Sequence, residues 1–112
     1  MLIVTTNDIP GHQVQRVLGA TFGIAVRSRN IAGNFTAGFA AMFGGKQKGN
    51  TNLIQQTRQD ALDALAQAAA EMGGNAILAV RFDAGEFDSG GGNIMQEVVA
   101  YGTVVVIQDG SE

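Results

Sequence analysis

Two periodicities divide the apolar positions of this chain. A short apolar run, Leu2 to Thr6, is broken by Asn7-Asp8-Ile9-Pro10-Gly11, whose Asn, Asp, Pro and Gly are turn formers. His12 to Ser28 is rich in Val, Ile, Phe and Thr with Gly19 and Gly23 inside it, which predicts one long strand kinked or bulged at the glycines. From Ile31 the period lengthens. Ile31, Phe35, Phe39 and Phe43 recur every four positions beside a second stripe of small residues at Gly33, Ala37 and Ala41. That spacing predicts a helix with Asn30 as its cap and Gly44-Gly45 at its end. No charged residue occurs from Ile31 to Gly45, so this helix has no water-facing side and is expected in a core or an interface.

A polar loop, Lys46 to Asn50, leads into a second helix that starts with Asn50 or Thr51 as cap, runs to about Met72 and closes at Gly73-Gly74. Ile54, Thr57, Ala61, Leu65, Ala68 and Met72 are expected on its inner face, an Ala-rich side suited to close packing. Asn75 to Asp83 reads as a nearly continuous apolar strand, Ala84 to Asn93 as a Gly-rich acidic hairpin loop, and Ile94 to Ile107 as the last strand. Strands usually hold ~3 to 10 residues, so a run this long predicts a bend at Gly102 or pairing beyond its own sheet. Gln108 to Glu112 is expected to fray.

The predicted order is β-β-α-α-β-β. Two helices between strand pairs pack most economically on one face of an antiparallel sheet, so the expected fold class is α+β, a two-layer sandwich. With 112 residues, no internal repeat and no composition break, residues 1–112 form a single domain.

Composition sharpens this picture in one respect. Apolar residues make up 46% of the chain and charged residues 15%, which excludes a disordered chain. The apolar set is small-grained, with 16 Gly and as many Ala against 6 Phe, 1 Tyr and no Trp. A thin core with few surface charges is the balance of a subunit that buries part of its surface against copies of itself.

Charge is segregated. Six bases and no acid lie between Ile9 and Gln59, whereas nine acids and the single base Arg81 follow from Asp60. The bases are too dispersed, and the net charge of -3 has the wrong sign, for a nucleic-acid surface. A subunit with a basic and an acidic side instead favours head-to-tail contact and a ring. The first residues lack the basic region of a signal peptide, and the longest weakly polar stretch is shorter than the ~20 residues needed to span a bilayer. The expected location is cytoplasmic, with neither membrane nor nucleic acid as partner.

Candidate chemistry is sparse. Without Cys there is no disulfide, thiolate metal site or cysteine nucleophile. His12 is the lone histidine and has no paired serine in a triad pattern. Asp83, Glu86 and Asp88 cluster in sequence and, with Asp8, offer oxygens to a hard ion, but without the EF-hand spacing. Gly45-Lys46 fails as a phosphate loop, because Ala40 stands where the earlier glycine is needed and Gln47 where Ser or Thr should be. Arg27 and Arg29, just ahead of the Asn30 cap, suit an anion at a helix N-terminus or the acids of a neighbouring subunit. No nucleophile with its base is identifiable, so an enzyme is not expected.

Several blocks together carry a resemblance. Thr6-Asn7-Asp8-Ile9-Pro10-Gly11, Val26-Arg27-Ser28-Arg29-Asn30, Phe43-Gly44-Gly45, Gly74-Asn75-Ala76, Val80-Arg81-Phe82-Asp83 and Ala100-Tyr101-Gly102-Thr103 resemble, in that order, the YbjQ-like family of small bacterial proteins. The resemblance covers nearly the whole chain. It implies a dodecin-like α+β subunit, a homopentamer, and a heavy-metal-binding label that rests on structural analogy. A soft-metal site would have to draw on His12 and on Met42, Met72 or Met95 from several subunits. The first expectation is a pentameric binding module for a metal ion or small ligand, with Asp8, His12 and Asp83 as metal ligands and Arg27 and Arg29 at subunit boundaries. The other is a structural assembly that presents a surface to a protein partner and needs no small ligand. Phe35, Phe39, Phe43 and Tyr101 are the expected subunit contacts in either case.

Overall fold

A computed structural model describes residues 1–28 and 46–109. The helix expected over 31–45, with Arg29, Phe35, Phe39 and Phe43, lies outside the described residues. Five elements follow one another: β1 (Leu2–Ile3), β2 (His12–Ser28), α1 (Lys46–Glu71), β3 (Ala76–Asp88) and β4 (Ile94–Asp109). The described fold is α+β with the order β-β-α-β-β, one helix on a four-stranded sheet.

The sheet order is β1-β3-β4-β2. β2 pairs antiparallel with β4 and β4 with β3, but β1 runs parallel to β3. The expected antiparallel sheet is therefore corrected to a mixed one. The reason is connectivity: β1 and β2 occupy opposite edges, so the chain between them crosses the sheet instead of turning back as a hairpin. Val4 and Ile9 of that crossing pack on Ala76, Leu78, Val105 and Ile107 and cover this end of one sheet face. The crossing chain also pairs with a bulge in β3. Ala79 N–H donates to Thr6 O at 2.8 Å and Val80 N–H to Val4 O at 3.0 Å. Ala79 has φ 54°, and the β3/β4 register shifts between Leu78 and Arg81. Gly102 lies opposite this bulge. It is a packing position, since a Cβ there would stand 2.8 Å from Ile77 Cγ2 and 2.9 Å from Leu78 O.

β2 has the predicted bounds, with register shifts near Gln15 and Leu18. α1 begins at Lys46, so Lys46 to Asn50 is helical rather than a loop. Its buried positions are Leu53, Thr57, Ala61, Leu65 and Ala69, spaced by four. Ile54 and Met72, expected inside, are exposed. The expected stripe steps by three and four, whereas the buried one steps by four throughout, which carries it around a helix of 3.6 residues per turn and away from Ile54 and Met72. Gly73, at φ 91°, ends the helix. Its N–H donates to Ala70 O and that of Gly74 to Ala69 O, both at 3.0 Å, the paired bonds of a Schellman cap.

β3 runs to Asp88 and not Asp83, so the expected ten-residue hairpin loop shrinks to a five-residue one, Ser89 to Asn93. Gly90, Gly91 and Gly92 all take positive φ, which lets the chain reverse this sharply. Asp88 Oδ1 accepts Gly90 N–H at 2.8 Å, and Ser28 Oγ donates to Asn93 Oδ1 at 2.9 Å. At the other end β4 reaches Asp109, taking in two residues of the segment expected to fray. Asn75 closes that end by using its side-chain amide as a peptide. Its Nδ2 donates to Ile107 O at 3.0 Å and its Oδ1 accepts Ile107 N–H at 2.8 Å.

One close approach joins the two layers. Gly23 on β2 lies against the α1 backbone, and a Cβ there would collide with Leu65 N and Ala61 O. Neither atom can rotate away. Gly23→Ala is expected to lower stability by about 3 kcal/mol, the upper end for overpacking. Gly85→Ala, in a strand position where a Cβ meets nothing within 4 Å, should change it by less than about 0.5 kcal/mol. Urea unfolding of both variants at matched concentration checks the pair. A second test lies at Asn75, where Asn75→Asp keeps the acceptor but sets a carboxylate against Ile107 O. The expected loss is about 1 to 3 kcal/mol, read from the same titration.

Candidate functional site

The predicted site residues fall at two ends of the sheet. His12 begins β2, and the register places it opposite Asp109. The turn before it is tied by Thr6 Oγ1 donating to Asp8 O at 2.7 Å and by His12 N–H donating to Ile9 O at 3.1 Å. Asp8 is exposed on that turn. His12 Nδ1 is buried and has no hydrogen-bond partner among the described residues. Sequence reasoning missed Asp109 as a neighbour of His12, because pairing across 97 residues is invisible in local composition.

Asp83 lies at the other end. It pairs with Val99, which pairs with Ile24, twelve positions from His12 along β2. At ~3.3 Å per residue that separation is on the order of 40 Å, far beyond a coordination shell. Asp8 and His12 are thus near one another in the fold, and Asp83 is not with them. Among the described residues no three His, Cys, Asp or Glu side chains come together as a metal group.

Arg27 is engaged inside its own subunit. Its Nη2 and Nε donate to Asp60 Oδ2 at 2.5 and 3.0 Å, tying β2 to α1. Gln56 Nε2 donates to Asp60 Oδ1 at 2.9 Å. The Arg27 hydrogen bonds, and then that of Gln56, hold the Asp60 carboxyl below its usual range, against a smaller opposing effect of desolvation. Beside them Arg58 stacks its guanidinium 5.6 Å from the Phe82 ring centre.

The largest unassigned feature is the sheet face opposite α1. Gly23 and Ala25 point to the helix and are buried, so by alternation Phe22, Ile24 and Val26 point away. They are 59%, 59% and 46% exposed. Tyr101, paired with Phe22 in the ladder, is 38% exposed on the same face, with the two rings 6.2 Å apart. The sequence does hold a signal for this row. Phe22-Gly23-Ile24-Ala25-Val26 alternates in size rather than polarity, and a reading based on polarity passes over it.

A family model described as "Putative heavy-metal-binding" matches residues 1–108. The chain belongs to this YbjQ family. Its relatives include UPF0145 proteins of Acidiphilium cryptum, 45% identical over 96% of this chain and 95% of the relative, and of Thermoplasma volcanium, 41% identical over 97% and 86%. A UPF0145 protein of Streptomyces coelicolor is 45% identical over 96% of this chain and 97% of its own length. Thermoplasma is archaeal, so the YbjQ family is not confined to bacteria. A solved structure from Pediococcus pentosaceus, of unknown function in the DUF74 family, superposes with a TM-score of 0.59 at 18% identity, covering 96% of this chain and 98% of that one. It supports the fold. None of the described helices is long and apolar enough to cross a membrane.

The Arg27–Asp60 tie predicts an acid response of this YbjQ chain. Because folding lowers the Asp60 pKa, the stability it gives is full above the ordinary value of 3.8 and is lost as pH falls through the folded value. Asp60→Asn should therefore unfold with a smaller change in urea midpoint between pH 5 and pH 3 than the parent chain. An equal change in both would show that the pair adds nothing to acid stability.

Proposed function

We propose that this YbjQ chain is a non-enzymatic, self-assembling module in which a second copy covers the row of Phe22, Ile24, Val26 and Tyr101. That uncovered apolar row carries the reading. Burying one such side chain stabilises by about 1.5 to 3 kcal/mol, so a row of four is a strong drive to association in water. β2 adds to it as an edge strand, with backbone groups along one side that no described strand pairs. The charge pattern favours a head-to-tail arrangement: Asp83, Glu86, Asp88 and Glu97 sit on the β3–β4 hairpin arm, and Arg16 lies towards the other end of β2. Head-to-tail contacts close into rings, and five subunits is the number that the family resemblance implies.

Of the two forms of this reading, an assembly that presents its surface to a protein fits the geometry better than a module built around a small ligand or metal ion. The apolar row is continuous, whereas Asp8 and His12 are far from Asp83. Native mass spectrometry of the parent chain should give a five-subunit ion. Ile24→Lys and Phe22→Lys, which place a charge on the open face without touching the α1 contact, should give monomers with an unchanged far-ultraviolet circular dichroism spectrum. A monomeric parent chain at micromolar concentration would overturn the proposal.

A further inference from the structure

We infer that this chain does not hold a heavy-metal ion on its own side chains, in disagreement with the description its family carries. The donor set is the first ground. Thiophilic ions select thiolate and imidazole, and the chain has no Cys and one His. A structural Zn²⁺ needs four protein ligands and a catalytic one three, so His12 would need at least two carboxylates beside it.

Placement is the second ground. Asp60 is held by Arg27 and Gln56, and Asp63 Oδ1 accepts Gln59 Nε2 at 3.0 Å. Asp83, Glu86, Asp88 and Glu97 belong to the hairpin arm at the far end of β2, and alternation along β3 sends Asp83 to the sheet face opposite that of Glu86 and Asp88. Asp8 and Asp109 share the His12 end of the sheet and Glu71, exposed in the last turn of α1, lies towards it, yet among the described residues no three such side chains come together. The residues outside the described ones add almost nothing: 29–45 contain no His, Cys, Asp or Glu, and 110–112 contribute Glu112 alone. Thioether sulfur is equally scattered. Among the described residues, Met95 sits by the hairpin, where its Sδ accepts Asn93 Nδ2 at 3.8 Å, and Met72 follows α1, exposed, at the opposite end, towards that of His12.

Assembly does not supply the missing shell. Nδ1 of His12 is buried within its own subunit, which leaves Nε2 as the one nitrogen each copy could offer. Five equivalent Nε2 atoms on a fivefold axis form a ring, and a ring of five does not match the tetrahedral shell of Zn²⁺.

The donor set and its placement do not depend on the proposed assembly, on which only the fivefold argument rests, and two measurements on one sample separate the two readings. Protein purified without chelator is dialysed against micromolar Zn²⁺, Cd²⁺ or Cu⁺ in turn, and metal is measured by elemental analysis while native mass spectrometry counts subunits. The expected result is less than about a tenth of an ion per subunit, as sites with fewer than three protein ligands bind too weakly to fill at that concentration. One ion per subunit, or one per ring, would overturn the inference. If that ion disappears in His12→Ala, the His12 end of the sheet is its site; if it remains, the site lies elsewhere, and the inference fails in both cases. The subunit count reports on the assembly whichever way the metal result falls.

Discussion

The contact between the α1 backbone and Gly23 decides where every other surface of this protein goes. A sheet and a helix normally stand apart by the length of the side chains between them, about 10 Å. Here the β2 residues against the helix are Gly23 and Ala25, and those from the helix include Ala61 and Ala69. Small residues let the layers approach, and that approach brings Arg27 within reach of Asp60. It also has an unavoidable consequence in a strand of alternating direction. If the helix takes the small residues of Phe22-Gly23-Ile24-Ala25-Val26, the large ones face the other way. The thin core noted in the composition and the exposed apolar row are two results of one packing choice.

How far the sequence discloses this fold depends on the range of the interactions involved. β2 is legible to the residue because its composition is uniform and its ends are marked by a turn and a polar step. The C-terminal cap of α1 is legible because Gly73-Gly74 is a local signal with a local cause. The β3–β4 hairpin is misjudged by composition alone. Gly85 to Asp88 looks like loop, yet it continues the ladder opposite Ile94 to Glu97, since pairing with a strong strand outweighs a weak local preference. β1 is legible as a short apolar run, but its partner is beyond any local reading. Two residues pair with β3 only because the chain after them must cross the sheet to reach β2, and that crossing is a property of the whole topology.

The candidate site divides in the same way. Residue chemistry singles out His12 and the carboxylates, since these are the imidazole and the anionic oxygen donors of the chain. It has no means of grouping them. Asp8 and Asp83 are both acids near turns, and only the register sends one to the His12 end of the sheet and the other to the hairpin arm. Asp109, in a tail expected to be frayed, belongs beside His12 by that same register. Arg27 reads in the sequence as an anion or intersubunit contact because its partner within the chain, Asp60, is 33 residues away on α1.

Chemistry and assembly then point in different directions for this family. Polar donors are dispersed, and several are already satisfied within the subunit by Arg27, Gln56 and Gln59. Among the described residues the exposed apolar side chains include the row of Phe22, Ile24, Val26 and Tyr101 on one sheet face, with Val14, Val17 and Phe87 further along the strands. A protein built around a bound ion shows the reverse, with donors gathered and second-shell bonds orienting them. Here the orienting bonds are spent on the fold: the Asn75 amide on the β4 backbone, Asp60 on the strand–helix tie, and Asp88 and Asn93 on the hairpin turn.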